Sequence, residues 1–134
     1  MFACAQPDRL ALPFDARADD PAAQVVVRFG RLDGLVNNAG TVQGDDLDNH
    51  DPAAAAEMMQ VNALTPLALI AAALPHLAAG AAIVNITSIN ARSPPASALA
   101  YAASKAALEN LTIGCAKALG PRGIRVNAVS PGAV

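Results

Sequence analysis

The stretch AAIVNIT at residues 81–87 decides how this chain folds. It is β-branched and almost wholly apolar, the pattern of a strand covered on both faces in a parallel sheet. Upstream, Pro52 opens an Ala-rich segment reaching to about Leu77. Proline at the first helical position, good helix formers behind it and Gly80 as a stop predict a helix there. Pro66 lies inside that helix and should bend it, because it removes a backbone donor. Still earlier, the mostly apolar run Leu32 to Asn37 lies between Gly30 and Gly40 and reads as a buried strand. Downstream, a loop with Pro94 and Pro95 leads to a second Ala-rich helix, Ala100 to Leu119, ended by Gly120-Pro121. GIRVNAV at 123–129 is another strand, broken by Pro131-Gly132. Near the start, RLALPF at 9–14 reads as a short strand, and Ala22 to Phe29, behind Asp-Asp-Pro, as a short helix. Strand, helix, strand, helix, strand in this order indicates parallel pairing with right-handed crossovers, hence an α/β doubly wound sheet in one domain over 1–134.

Composition agrees with a buried core: 54% of residues are hydrophobic and 15% charged, the reverse of a disordered chain. Aromatics are 3% with no Trp, so Ala, Val, Leu and Ile must pack the interior. The net charge of -2 leaves no uniform basic surface to bind nucleic acid. Cys4 and Cys115 are too few for a disulfide framework and stand in no metal-binding pattern, so the reading is two reduced thiols, no metal site and a cytoplasmic setting. The N-terminus lacks a basic start followed by an apolar run, as a secretory signal would have. Met58 to Ala91 holds no charge, yet Asn62, Thr65, Pro66, Pro75, His76 and Gly80 interrupt it, which argues for a buried helix and strand and against a membrane span.

In an open parallel sheet, ligands bind beyond the carboxyl ends of the strands. Three polar clusters fall there: Asn37-Asn38-Ala39-Gly40, Thr87-Ser88 and Ser130-Pro131-Gly132. Each by itself could be an ordinary turn. Tyr101 and Lys105 stand at i and i+4 of the second helix and share a face, their Cβ atoms about 5–6 Å apart. A phenol titrates near pH 10, so acid/base work at neutral pH needs a downward shift of about 3 units, roughly 4 kcal/mol. One ammonium about 4 Å away at an effective dielectric near 20 supplies that amount. Tyr-x-x-x-Lys also occurs on plain exposed helix faces, but Ser88 lies at the preceding strand end, where its hydroxyl could meet the phenol across a cleft.

These residues resemble a known family, the short-chain dehydrogenases/reductases. The resemblance rests on RLDGLVNNAG (31–40), IVNITS (83–88), YAASK (101–105) and GIRVNAVSPGAV (123–134), in the family's order and spacing. It implies a Rossmann-like sheet, Tyr101 as acid/base, Lys105 as the group that tunes Tyr101 and holds the nicotinamide ribose, and Ser88 as the partner of the substrate oxygen. Asn62 in MQVNA matches the helix asparagine that holds a water in the proton relay. The resemblance further implies that Asn37, Ala39 and Gly40 lie beside the adenosine ribose. Asp15 would meet the adenine, and Pro131, Gly132 and Val134 would run along the nicotinamide. The cofactor would be NAD or NADP and the substrate a small alcohol or carbonyl compound. Self-association would run through the helices at 53–78 and 101–118.

None of the nine glycines forms the family's T-G-x-x-x-G-x-G turn, whose amides receive the pyrophosphate. By resemblance the chain covers family strands three to six, an incomplete sheet without the first βαβ unit or the C-terminal substrate segment. Two readings stay open: an oxidoreductase with Tyr101 as acid/base, or a non-catalytic remnant or oligomerising subunit lacking its own cofactor site.

Overall fold

The computed structural model describes residues 20–132. Asp20 caps the first helix, α1 (Pro21–Phe29), accepting from the Ala23 N–H at 2.9 Å, and Gly30 closes it in the left-handed region. Strand β1 (Leu32–Asn37) follows. Asp51 then caps α2 (Pro52–Met59), with Pro52 at its first position. The helix continues through a π-helical turn, Gln60–Leu64, into α3 (Thr65–Ala73) and a 3-10 turn, Leu74–His76. The irregularity expected at Pro66 therefore takes the form of a π-turn just ahead of it. In an α-helix the Asn62 carbonyl would bond to residue 66, and proline has no N–H to give.

Strand β2 spans Leu77–Ile86, α4 spans Leu99–Leu119, and β3 spans Arg125–Val129. The three strands form a parallel sheet in the order β1-β2-β3, so the chain has the expected α/β, Rossmann-like architecture with an incomplete sheet. Two details correct the sequence reading. The helix stops at His76, where Pro75 lies in the 3-10 turn, and β2 begins at Leu77, not at Ala81. Gly80 is no helix stop: it lies inside β2 at φ +93, where the register slips from Leu32↔Leu77 to Gly34↔Ala82. Only a residue without Cβ adopts that φ cheaply. Likewise the last strand starts at Arg125, because Gly123 at φ +72 belongs to the turn.

β2 also corrects the expectation of two covered faces. Ala81, Ile83 and Asn85 are buried, while Ala82, Val84 and Ile86, pointing the other way, are partly exposed. Ile83 and Val126 join Ile70, Ala73, Leu119 and Ile124 in the core beneath the helices. The run Pro52–His76 is long and apolar enough to cross a membrane by length and composition; within the fold Met58, Ala63, Ile70 and Ala73 are buried. The segments 9–14 and Cys4 lie outside the described residues.

Candidate active site

All three strands end at one rim of the sheet, and α4 begins beside it. The segment after β1 carries Asn38, Gly40 and Thr41; β2 runs out into Thr87 and Ser88; β3 runs out into Ser130, Pro131 and Gly132. Together with Tyr101 and Lys105 from the first turns of α4, they enclose a cleft of about 450 Å³. Parallel pairing with helical crossovers thus brings together residues far apart in sequence.

Lys105 is 5% exposed, and its Nζ donates to the Ile86 carbonyl at 2.9 Å. Burial lowers its pKa below the usual lysine value. Nζ stands 5.8 Å from the centre of the Tyr101 ring. Of its three donors one is committed to Ile86 among the described residues.

Asn62, fully buried, acts as a bracket between the loop after β1 and α4. Its Oδ1 accepts from the Thr41 N–H at 2.8 Å, and its Nδ2 donates to the Thr41 carbonyl at 2.8 Å and to Ser104 Oγ at 2.9 Å. Ser104 in turn donates to the Tyr101 carbonyl at 2.7 Å. Gly40 leaves little room for a side chain: a Cβ there would lie 3.1 Å from Asn62 Oδ1 and 3.4 Å from Lys105 Nζ, so the Asn62 bracket would have to give by a few tenths of an ångström. Ser88 is buried on the opposite wall, where its Oγ accepts from the Asn90 N–H at 3.2 Å and heads a 3-10 turn, Ile89–Ala91.

The other expected contacts divide. Gly40, Pro131 and Gly132 line the cleft with Ser88, Tyr101 and Lys105. Asn37 points into the sheet core, donating to Asn85 Oδ1 at 2.8 Å; Asn85 passes the chain to Thr112, which donates to the Leu108 carbonyl. Asn37 Oδ1 itself is buried without a partner among the described residues. Ala39 lines a separate, mostly apolar hollow of about 290 Å³ with Val36, Val61 and Pro66. Asp15 and Val134 lie outside the described residues. Among the described residues no group of three His, Cys, Asp or Glu side chains could hold a metal ion.

Sequence reading missed three supports. Ser104 lay in the quoted YAASK motif, three residues after Tyr101, but received no role. Asp45, 8% exposed, accepts from the Ala100 N–H at 3.0 Å and so caps α4 just ahead of Tyr101. Glu109, one turn beyond Lys105, accepts from Arg92 and Ser130. No local pattern marks a cap or clamp whose partner is distant in sequence.

Residues 8–134 match the family described as enoyl-(acyl carrier protein) reductase. A dehydrogenase/reductase from Sinorhizobium meliloti superposes with a TM-score of 0.84 at 42% identity, over 90% of this chain and 48% of its own. A short-chain dehydrogenase from Burkholderia cenocepacia, solved in complex with NADP, gives 0.83 at 40% identity over 89% and 49%. The Arabidopsis thaliana protein named glucose and ribitol dehydrogenase homolog 2 is 37% identical over 92% of this chain and 43% of its own. With the fold and the rim residues, these matches establish that the chain belongs to the short-chain dehydrogenase/reductase family of oxidoreductases. It spans less than half the length of these relatives.

Proposed function

We propose that this chain carries the proton-transfer machinery of an oxidoreductase that moves a hydride between NAD or NADP and a small alcohol or carbonyl substrate. One observation carries the reading: Tyr101, Lys105 and Ser88 line a single cleft at the carboxyl ends of a parallel sheet, with Lys105 buried in its wall. The donors fit the nicotinamide end of such a cofactor. Lys105 has N–H groups beyond the one given to Ile86, suited to ribose hydroxyls, and Gly40 and Gly132 let a flat ring approach the backbone. When bound, the nicotinamide supplies or accepts the hydride. The NADP complex of the Burkholderia relative supports this choice of cofactor.

Tyr101 passes a proton between its phenol oxygen and the substrate oxygen, while Ser88 holds that oxygen from the other wall. The Lys105 ammonium stabilises negative charge developing on the phenol. Asn62 spends both side-chain donors on Thr41 and Ser104, so its part in a proton relay falls to its main-chain carbonyl, ahead of Pro66. The strand end that carries Asn37 and Ala39 stands toward the adenosine side. Self-association through the α2–α3 run and α4 is part of the proposal; Leu64, Leu67 and Ile113 are exposed there. So is a cytoplasmic setting with neither nucleic acid nor membrane as partner.

The test joins a family-type glycine-rich first βαβ unit to the chain and follows reduction of a panel of aldehydes and ketones by NADPH and NADH. Tyr101→Phe is expected to lower turnover about 100-fold or more, with cofactor affinity unchanged. A tenth of the wild-type rate retained would remove Tyr101 as acid/base. The 134-residue chain alone, with no glycine-rich turn in its sequence, should bind either cofactor only on the order of millimolar. Low-micromolar affinity would reveal a phosphate site that the glycine pattern does not announce.

A further inference from the structure

We propose that Glu109 is a positioning residue that fastens the two walls of the cleft to α4. Ser88, Ile89 and Asn90 form one wall; Pro131 and Gly132 form the other. The sheet itself pairs these chains only as far as Ile86↔Val129. Beyond that point two backbone bonds continue the union, Thr87 N–H to the Val129 carbonyl at 2.8 Å and Ile89 N–H to the Pro131 carbonyl at 3.0 Å. Glu109 sits over this seam. Its Oε1 accepts from Ser130 Oγ at 2.8 Å, and its Oε2 accepts from Arg92 Nε at 2.9 Å.

The protons give the cluster a direction. A carboxylate only accepts, so Ser130 directs its hydroxyl proton to Glu109. The Ser130 oxygen is then free to accept from Thr87 Oγ1, 2.6 Å away, with the Val129 carbonyl at 3.1 Å as that hydroxyl's other acceptor. Arg92 ends the turn that Ser88 heads, its N–H bonded to the Ile89 carbonyl. One side chain therefore holds the residue entering each wall, Thr87 both directly, its Oγ1 3.4 Å from Oε1, and by way of Ser130, and the residue leaving the Ser88 turn. An exposed ion pair alone would be worth little. Here the carboxylate is 14% exposed and gathers two walls onto the helix that carries Tyr101 and Lys105 eight and four residues earlier. Loosening it should misplace Ser88 and Pro131 against the phenol, and misplacement by about 1 Å can cost 100-fold in rate.

This inference rests on the function proposed above, but its first readout does not need catalysis. In the 134-residue chain, amide exchange at Thr87 and Ile89 is compared in the wild type, Glu109→Ala, Glu109→Gln and Ser130→Ala, with Ile83 and Val84 as internal references. Glu109→Ala and Ser130→Ala are expected to speed Ile89 exchange at least tenfold relative to the references. Glu109→Gln, which keeps an oxygen for Ser130, should largely restore protection. Should Glu109→Ala fail to fold, Ser130→Ala and Glu109→Gln carry the comparison. Wild-type exchange at Ile89 in Ser130→Ala, or in Glu109→Ala where it folds, would overturn the clamp. In the extended chain, Glu109→Ala and Ser130→Ala should lower kcat with cofactor affinity unchanged, and Glu109→Gln should keep most of the wild-type kcat. Faster Ile89 exchange in a protein that reduces no carbonyl would support the clamp and count against the proposed function. Unchanged exchange alongside loss of turnover in Tyr101→Phe would sink the clamp alone.

Discussion

The two faces of the sheet differ sharply. On the helix-covered face Ile83 is fully buried, Val126 is 6% exposed, and a hydrogen-bonded chain runs from Asn37 through Asn85 to Thr112 on α4. On the other face Val36 is 63% exposed and Val129 50%. The covered face therefore does two jobs: it supplies the apolar burial, and its polar chain locks β1 and β2 to the helix that bears Tyr101 and Lys105. Site geometry and stability are concentrated in the same β2–α4 unit.

The sharpest way to break that contrast is a matched pair of substitutions. Ile83→Ala should cost about 2–5 kcal/mol in urea unfolding, because it leaves a cavity under the helices. Val36→Ala should stay within about 0.5 kcal/mol, as exposed positions do. A Val36 penalty rivalling that of Ile83 would mean that the open face is covered in solution.

A smaller effect tests how α4 is held at its start. The helix has no capping side chain of its own at Ala98, and Asp45 supplies the cap from the loop after β1. Asp45→Ala should cost about 1 kcal/mol. It should also speed amide exchange at Ala100 more than in the middle of α4. Equal acceleration along the whole helix would show that Asp45 contributes to overall packing and not to the end of the helix beside Tyr101.

The asymmetry between the faces also explains what was legible in the sequence. β1, β3 and α4 could be read because Gly, Pro and apolar runs mark their limits within a few residues. The start of β2 could not, since a positive-φ glycine inside a register slip looks the same in sequence as a glycine ending a helix. The meeting of Ser88, Tyr101 and Lys105 follows from their spacing around a parallel strand end. Strand parity settles the direction of Asn37: it shares a face with Leu35 and pairs with Asn85, so it points into the core. Asp45 and Glu109 were illegible, because their partners Ala100 and Ser130 lie 55 and 21 residues away.

The smallest expected effect concerns pH and sharpens the contrast at the rim. Hydrogen bonds from Arg92 and then Ser130 hold the Glu109 carboxyl below its usual range, against a modest opposing effect of burial. A carboxylate with a depressed folded pKa is bound to fewer protons when folded than when unfolded. Its stabilisation is therefore fully present above the unfolded value, about 4.3, and is lost as pH falls through the lower folded value. The advantage of the wild type over Glu109→Gln should hold steady from neutral pH down to about 5 and shrink below the ordinary glutamate range. Partial solvent contact keeps this difference small, so paired urea titrations of the two proteins at several acid pH values are the suitable measurement. A difference that stayed constant down to the acid limit would mean that the Glu109 charge contributes nothing at the rim and that only its shape matters there.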